Sequence, residues 1–193
     1  MARAVPPRFV LPLWLVADAI LTRAYRIKPL RPDGSGIIRF DLRRYKGRTR
    51  VLDDGSTVQT GDIIMELHLN NDWFKQRRNL NLKASQSPQQ FLTFFAEELR
   101  LLARQMDTGM FDNVAALHGI TLLHVAAKRL RFEIHDLPDT VWNRGARFYT
   151  AGLMRLYHLR PEETSKLPRK EWQLKEVWLS RTALLKRYGQ TQS

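Results

Sequence analysis

Hydrophobic positions along this chain follow two periods. Ile38, Phe40 and Leu42 alternate with Arg39, Asp41, Arg43 and Tyr45, and Ile63, Met65, Leu67 and Leu69 alternate with Ile64, Glu66, His68 and Asn70. Period 2 marks a β-strand with one apolar and one polar face. Between these runs, Thr49–Leu52 and Thr57–Gln59 flank Asp53-Asp54-Gly55-Ser56, a hairpin signal. Residues 37–70 therefore read as an antiparallel meander of three or four strands. The period then lengthens. Phe91, Leu92, Phe95, Leu99, Leu102 and Met106 form a helical stripe. Ser87 as cap, Pro88 at the first position and Gln90 as the capping-box partner open that helix, and Gly109 stops it.

The remaining elements are shorter. Val114–Leu117 reads as a strand, His118-Gly119-Ile120-Thr121 as a turn, and 122–131 as a helix. Phe132–His135 is a further strand, and Pro138-Asp139 precedes a helix over 140–157. After a polar linker from Pro161 to Pro168, Trp172, Leu174, Glu176 and Trp178 recur at every second residue as a last strand. Ser180 then caps a helix carrying Leu184, Leu185 and Tyr188. At the other end, Pro6-Pro7 precede an amphipathic helix over 9–26, which the turn cluster Arg31–Gly36 ends. The expected fold class is α+β: a mostly antiparallel sheet with helices packed on one face and an N-terminal amphipathic helix. The expected division is a domain over 1–160 and a strand–helix extension over 161–193 packed on it.

Composition narrows the chemistry. The chain has 193 residues, 44% of them hydrophobic, enough for one real core. It has no cysteine, which excludes disulfides, thiolate metal sites and cysteine nucleophiles. The formal net charge is +13, with 12 basic against 3 acidic groups in residues 1–50 and 9 against 4 in 151–193. Such a balance suits an anionic partner, and equally a basic solvated surface. Residues 9–17 follow Arg3 and Arg8 and resemble a signal peptide. The amphipathic spacing continues through Ile20, Leu21, Ala24 and Tyr25, so a packed first helix, able to rest on a membrane surface, is the favoured reading. The run is too short and too charged to span a bilayer. A cytoplasmic location or one peripheral to the membrane is expected.

Several reaction types lack their motifs. The chain has no G-x-S-x-G elbow, no phosphate loop, no dinucleotide fingerprint and no H-E-x-x-H pair. No cofactor is expected. A histidine–carboxylate metal site from His68, Glu66 and His118 or His124 lacks ligand spacing, so no metal is expected either. What stands out is Glu66, His68 and Asn70 on one strand face, with Asn71 beside them. Glu66 and His68 would lie about 6–7 Å apart, a spacing that flanks a ligand. Pairing with the 37–45 strand would add Arg39 and Arg43. At the 118–121 turn, Thr121 and the backbone N–H groups could meet an anion, with His124 just beyond, although an ordinary strand–turn–helix with Thr121 as its cap is the favoured reading. Arg39, Arg43, Arg44, Lys46, Arg48 and Arg50 around Tyr45 could track nucleic-acid phosphates, but aromatic interleaving is thin, so nucleic acid is not favoured.

Ordered motifs carry a family resemblance: Arg44–Arg48, Leu52–Ser56, Gly61-Asp62, Glu66–Asn71, Gly119–His124 and Arg129-Leu130, with Trp14–Asp18 before them. Over about residues 9–160 the chain resembles the YkoP-like family of small bacterial proteins and domains. That resemblance supplies no activity. It implies a link to cell-envelope carbohydrate, because related domains occur fused to polysaccharide deacetylases. Together these readings give recognition of an anionic or hydroxyl-rich ligand through Glu66, His68, Asn70 and Asn71, with Arg43, Thr121 and His124 in support. The alternatives are a small hydrolase or transferase using Glu66 or His68 as acid–base, and a nucleic-acid binder on the basic hairpin.

Overall fold

The alternating runs at 38–44 and 63–69 become two neighbouring antiparallel strands. A computed structural model describes residues 27–70, 72–73, 88–121, 123–137 and 174–189. In chain order the elements are β1 (Lys28–Pro29), β2 (Ile38–Arg44), β3 (Arg50–Val51), β4 (Thr57–Val58), β5 (Ile63–Leu69), α1 (Pro88–Asp107) and β6 (Val114–Thr121). Then follow α2 (His124–Arg129), β7 (Glu133–Asp136), β8 (Lys175–Ser180) and α3 (Arg181–Leu184), which runs into a π-helical turn at Leu185–Gly189. Six strands form one sheet in the order β1-β2-β5-β6-β8-β7, and β3 and β4 form a separate pair. All pairings in the large sheet are antiparallel except β5 with β6. Those two parallel strands are joined through α1, since parallel neighbours need a long crossover.

The described helices cover one face. Leu99, Leu102 and Met106 of α1 are fully buried against Ile38 and Phe40 of β2, Met65 of β5 and Leu117 of β6. The same core takes Leu130 after α2 and Leu184 of α3. Each such large apolar side chain contributes about 1.5–3 kcal/mol on burial. The described architecture is thus α+β, with a mostly antiparallel sheet. Arg181 ties α3 to the end of α1, donating to Met106 O at 3.0 Å and Phe111 O at 2.9 Å. A cation there also opposes the partial negative charge of the helix C-terminus.

Three expectations change. The 37–70 segment is not a meander: β2 pairs directly with β5, and the β3–β4 hairpin leaves the sheet. Its Leu52 and Val58 are apolar and bury against Ile64, Ala116 and Trp178 on the face that lacks described helices. His118–Thr121 is strand rather than turn, because Gly119 and Ile120 pair with Val177 and Glu176 of β8. A partner distant in sequence overrides the local turn signal. The helix expected over 122–131 is only His124–Arg129, ended by Arg131 in the left-handed region at φ 67°. β8, from the C-terminal segment, lies between β6 and β7. The helices expected over 9–26 and 140–157 lie outside the described residues. Among the described residues, no helix is long and apolar enough to cross a membrane.

Candidate functional site

The sheet face opposite the helices carries the chemistry. Pairing sets its side chains in transverse rows. Asp41 of β2 sits opposite Glu66 of β5, Glu66 opposite His118 of β6, His118 opposite Trp178 of β8, and Trp178 opposite Glu133 of β7. One step along the strands, Arg39 sits opposite His68, and Glu176 lies between Ile120 and His135. On the other side of the acidic row, the hairpin covers Ile64 and Ala116. The polar side chains therefore begin where the hairpin's apolar cover ends.

Arg43 organises the β2–β5 end. Its guanidinium meets Asp41 Oδ2 at 2.7 Å and Glu66 Oε2 at 2.9 Å. This separates two carboxylates that face each other across neighbouring strands. Burial pushes the Asp41 carboxyl up, but the His68 ring and Arg43 outweigh it and hold Asp41 below the ordinary carboxylate range. His68 Nε2 lies 3.9 Å from Asp41 Oδ2, too far for a hydrogen bond. That nitrogen is buried and has no hydrogen-bond partner among the described residues. Arg39 pairs with Asp72 at 2.9 Å.

A second group stands on β6 and β8. His118 Nε2 contacts Glu176 Oε1 at 3.2 Å, and Arg50 from the hairpin holds Glu176 Oε2 at 2.8 Å. The Arg50 guanidinium also lies 5.0 Å from the ring centre of Trp178, and the His118 ring lies 4.4 Å from it. Burial pushes Glu176 up, while His118 and Arg50 more than offset it and hold it below its ordinary value. His118 Nδ1 has no partner among the described residues. Glu133 accepts from Asp53 N at 2.8 Å, and its other oxygen lies 3.5 Å from His135 Nε2. The hairpin is latched further by Asp54, which accepts from the Ser180 hydroxyl.

The structure brings together Glu66, His68 and Arg43 of the residues expected at the site. It takes Asn70 elsewhere. The Asn70 amide is buried and donates to Gly34 O at 3.1 Å and Gly36 O at 2.8 Å, so it fastens the 31–36 turn. Asn71 lies outside the described residues. Thr121 Oγ1 accepts from Leu123 N at 2.9 Å, a local turn contact at the end of β6. His124 opens the six-residue α2. Of the basic hairpin, Arg39, Arg43 and Arg50 are all committed to carboxylates.

The sequence pattern put Asp41 on the polar face without marking it as a site residue, and missed the pairing of His118, Glu176, Arg50, His135 and Glu133. Glu176 did carry a signal, two residues before Trp178 in a period-2 run. Its partner His118 lies 58 positions away, and nothing local links them. Among the described residues, no group of three histidine or acidic side chains is placed to hold a metal ion.

The chain is 26% identical over 127 residues to the uncharacterized protein YkoP of Bacillus subtilis (strain 168), covering 64% of this chain and 68% of that one. No solved structure matches it. The family model described as the YkoP domain matches residues 7–188, nearly the whole chain. The chain belongs to the YkoP family.

Proposed function

We propose that the polar sheet face recognises a hydroxyl-rich ligand, through Glu66 and His68 with Arg39 and Arg43 in support. The observation that carries the reading is the His68 imidazole. One of its nitrogens is buried without a hydrogen-bond partner among the described residues, beside two carboxylates that one guanidinium holds in place. A sugar hydroxyl both donates and accepts, so it can satisfy an imidazole nitrogen and a carboxylate oxygen together. An anion is the poorer fit. Arg39, Arg43 and Arg50 already meet carboxylates, and Asp41, Glu66, Glu133 and Glu176 would repel a second negative group. The family resemblance points the same way, toward carbohydrate of the cell envelope.

A second reading, acid–base catalysis, draws on one contact. Glu176 holds His118 in the way a carboxylate orients a catalytic imidazole, and Glu66 stands opposite on the next strand. In this reading Glu66 or His68 moves the proton, and His118 is oriented beside them.

Titration calorimetry against neutral oligosaccharides, with Glu66→Gln and His68→Ala, tests the first reading. Each substitution should weaken binding about tenfold or more, the worth of one charge-assisted hydrogen bond, and leave the melting temperature nearly unchanged. Two results would sink it: no neutral saccharide bound, or a fallen melting temperature with binding intact. Turnover of a bound saccharide, abolished by the same substitutions, would select the catalytic reading.

A further inference from the structure

The row one step beyond the acidic one runs across five strands. Arg39 on β2 is opposite His68 on β5. Ile120 on β6 lies two residues past His118, which pairs with Glu66, so it continues the line next to His68. Ile120 is opposite Glu176 on β8, and Glu176 is opposite His135 on β7. All five side chains reach the surface: 22% exposed for Arg39, 27% for His68, 18% for Glu176 and 36% for His135, with Ile120 at 41%. The preceding row is deeper. Asp41, His118 and Trp178 are buried there; the hairpin lies along it through Arg50 over Trp178 and Asp53 N on Glu133, and Arg50 also holds Glu176 of the outer row.

Four strand spacings separate Arg39 from His135, about 19 Å at about 4.8 Å each. No single sugar ring spans that length. Along it, the side chains change in character: guanidinium, imidazole, an apolar group, carboxylate, imidazole. Both imidazoles are part-exposed and stand second and last in the row; each has a buried Nε2 near a carboxylate, Asp41 or Glu133, that makes no hydrogen bond among the described residues. Ile120 in the middle is one of the few exposed large apolar residues among those described, and it offers contact to a ring's C–H surface. Resting on the hydroxyl-rich reading above, we infer that the ligand is an extended, uncharged polyhydroxylated chain laid across the strands from β2 to β7, with His68 and His135 binding successive units. Glu176 in the row, with the carboxylates of Asp41, Glu66 and Glu133 in the adjacent deeper row, favours a neutral chain over a polyanion.

Calorimetry of the intact protein with β-1,4-linked glucose and N-acetylglucosamine oligomers of one to six units provides the test. Affinity should rise at least about tenfold between one and four units and then level off, as subsites along one row fill. His135→Ala and Ile120→Ser should bring the four-unit affinity back toward the one-unit value and leave one-unit binding at His68 unchanged. His68→Ala should weaken both. Equal affinity at every length, still abolished by His68→Ala, would end the extended row and leave the single-sugar site standing. Absence of binding at every length would overturn both. Tighter binding of an oligogalacturonate ladder, lost steeply with salt, would overturn the neutral chain in favour of a polyanion.

Discussion

Replacing Arg43 with alanine removes the guanidinium that meets both Asp41 and Glu66. Asp41 is 6% exposed and Glu66 17%, so the variant leaves two nearly buried carboxylates opposite each other on adjacent strands. Stripping one partner from a fully buried ion pair costs about 3–5 kcal/mol. Arg43 itself is 35% exposed, so water screens the pair and the expected loss falls to about 1–3 kcal/mol. The pH dependence gives the test its sign. In the native protein burial raises Asp41, His68 and Arg43 lower it further, and the net position is below the unfolded value of about 3.9. That contribution to stability is present above about pH 4 and is lost as pH falls through the depressed folded value. In the variant only the His68 ring still opposes burial and the facing Glu66, so the folded value rises. Folding then releases fewer protons than in the native protein, so the penalty is greatest at neutral pH and shrinks on acidification. Urea unfolding followed by tryptophan fluorescence at about pH 7 and about pH 4.5 reads both numbers, with a smaller difference from wild type at the lower pH. Arg43→Lys, a point charge that cannot fork across two carboxylates, should fall between. An equal loss at both pH values, or a loss below about 0.5 kcal/mol at pH 7, would refute the two-carboxylate clamp.

The 31–36 turn yields two further expectations. A methyl group at Gly36 would collide with the Glu98 carboxylate, which is buried and held by Arg31, so Gly36→Ala should cost about 1–3 kcal/mol by thermal or urea unfolding. An unchanged melting temperature would show that the turn does not pack on α1. Asn70→Ala should cost about 1–3 kcal/mol through the lost donors to Gly34 and Gly36, and Asn70→Asp should cost more by setting an acceptor against two carbonyls. If Asn70→Ala instead keeps the melting temperature and weakens saccharide binding, Asn70 belongs to the ligand row after all.

How much of this could be read from the chain depends on the range of each interaction. β2, β5 and α1 were legible because periodicity and capping are local. Pro88 does open α1, and Ser180 does cap α3, accepting from Ala183 N at 2.8 Å. The site was legible only where one strand displays it, at Glu66 and His68. Asn70 follows the same alternation, but β5 ends at Leu69, and the next side chain is free to turn into the 31–36 loop. Gly119 read as a turn because glycine usually marks one. In the sheet it is flanked instead by Val177 and the Leu67 carbonyl, with ordinary room for a Cβ. His118, Glu176 and Arg50 come from three elements scattered between residues 50 and 176, and only the sheet order joins them.

Net charge along the chain and the charge that faces a ligand differ for a related reason. A formal +13 invites an anionic partner, and the basic run at 39–50 offers a place for it. Yet charge counted along a chain ignores which groups face each other. On the sheet face, Arg39, Arg43 and Arg50 each stand against a carboxylate, and Arg43 stands against two. Their work is to hold acids in place, which leaves carboxylate and imidazole edges as the groups a ligand would meet. Much of the excess charge belongs to positions such as Arg3, Arg8, Arg23, Arg26, Arg155 and Arg160, outside the described residues and away from this row in sequence. Long-range attraction of the whole molecule and short-range selectivity of the face are therefore separate properties. Salt should weaken the first and leave binding of a neutral saccharide at Glu66 and His68 largely unaltered.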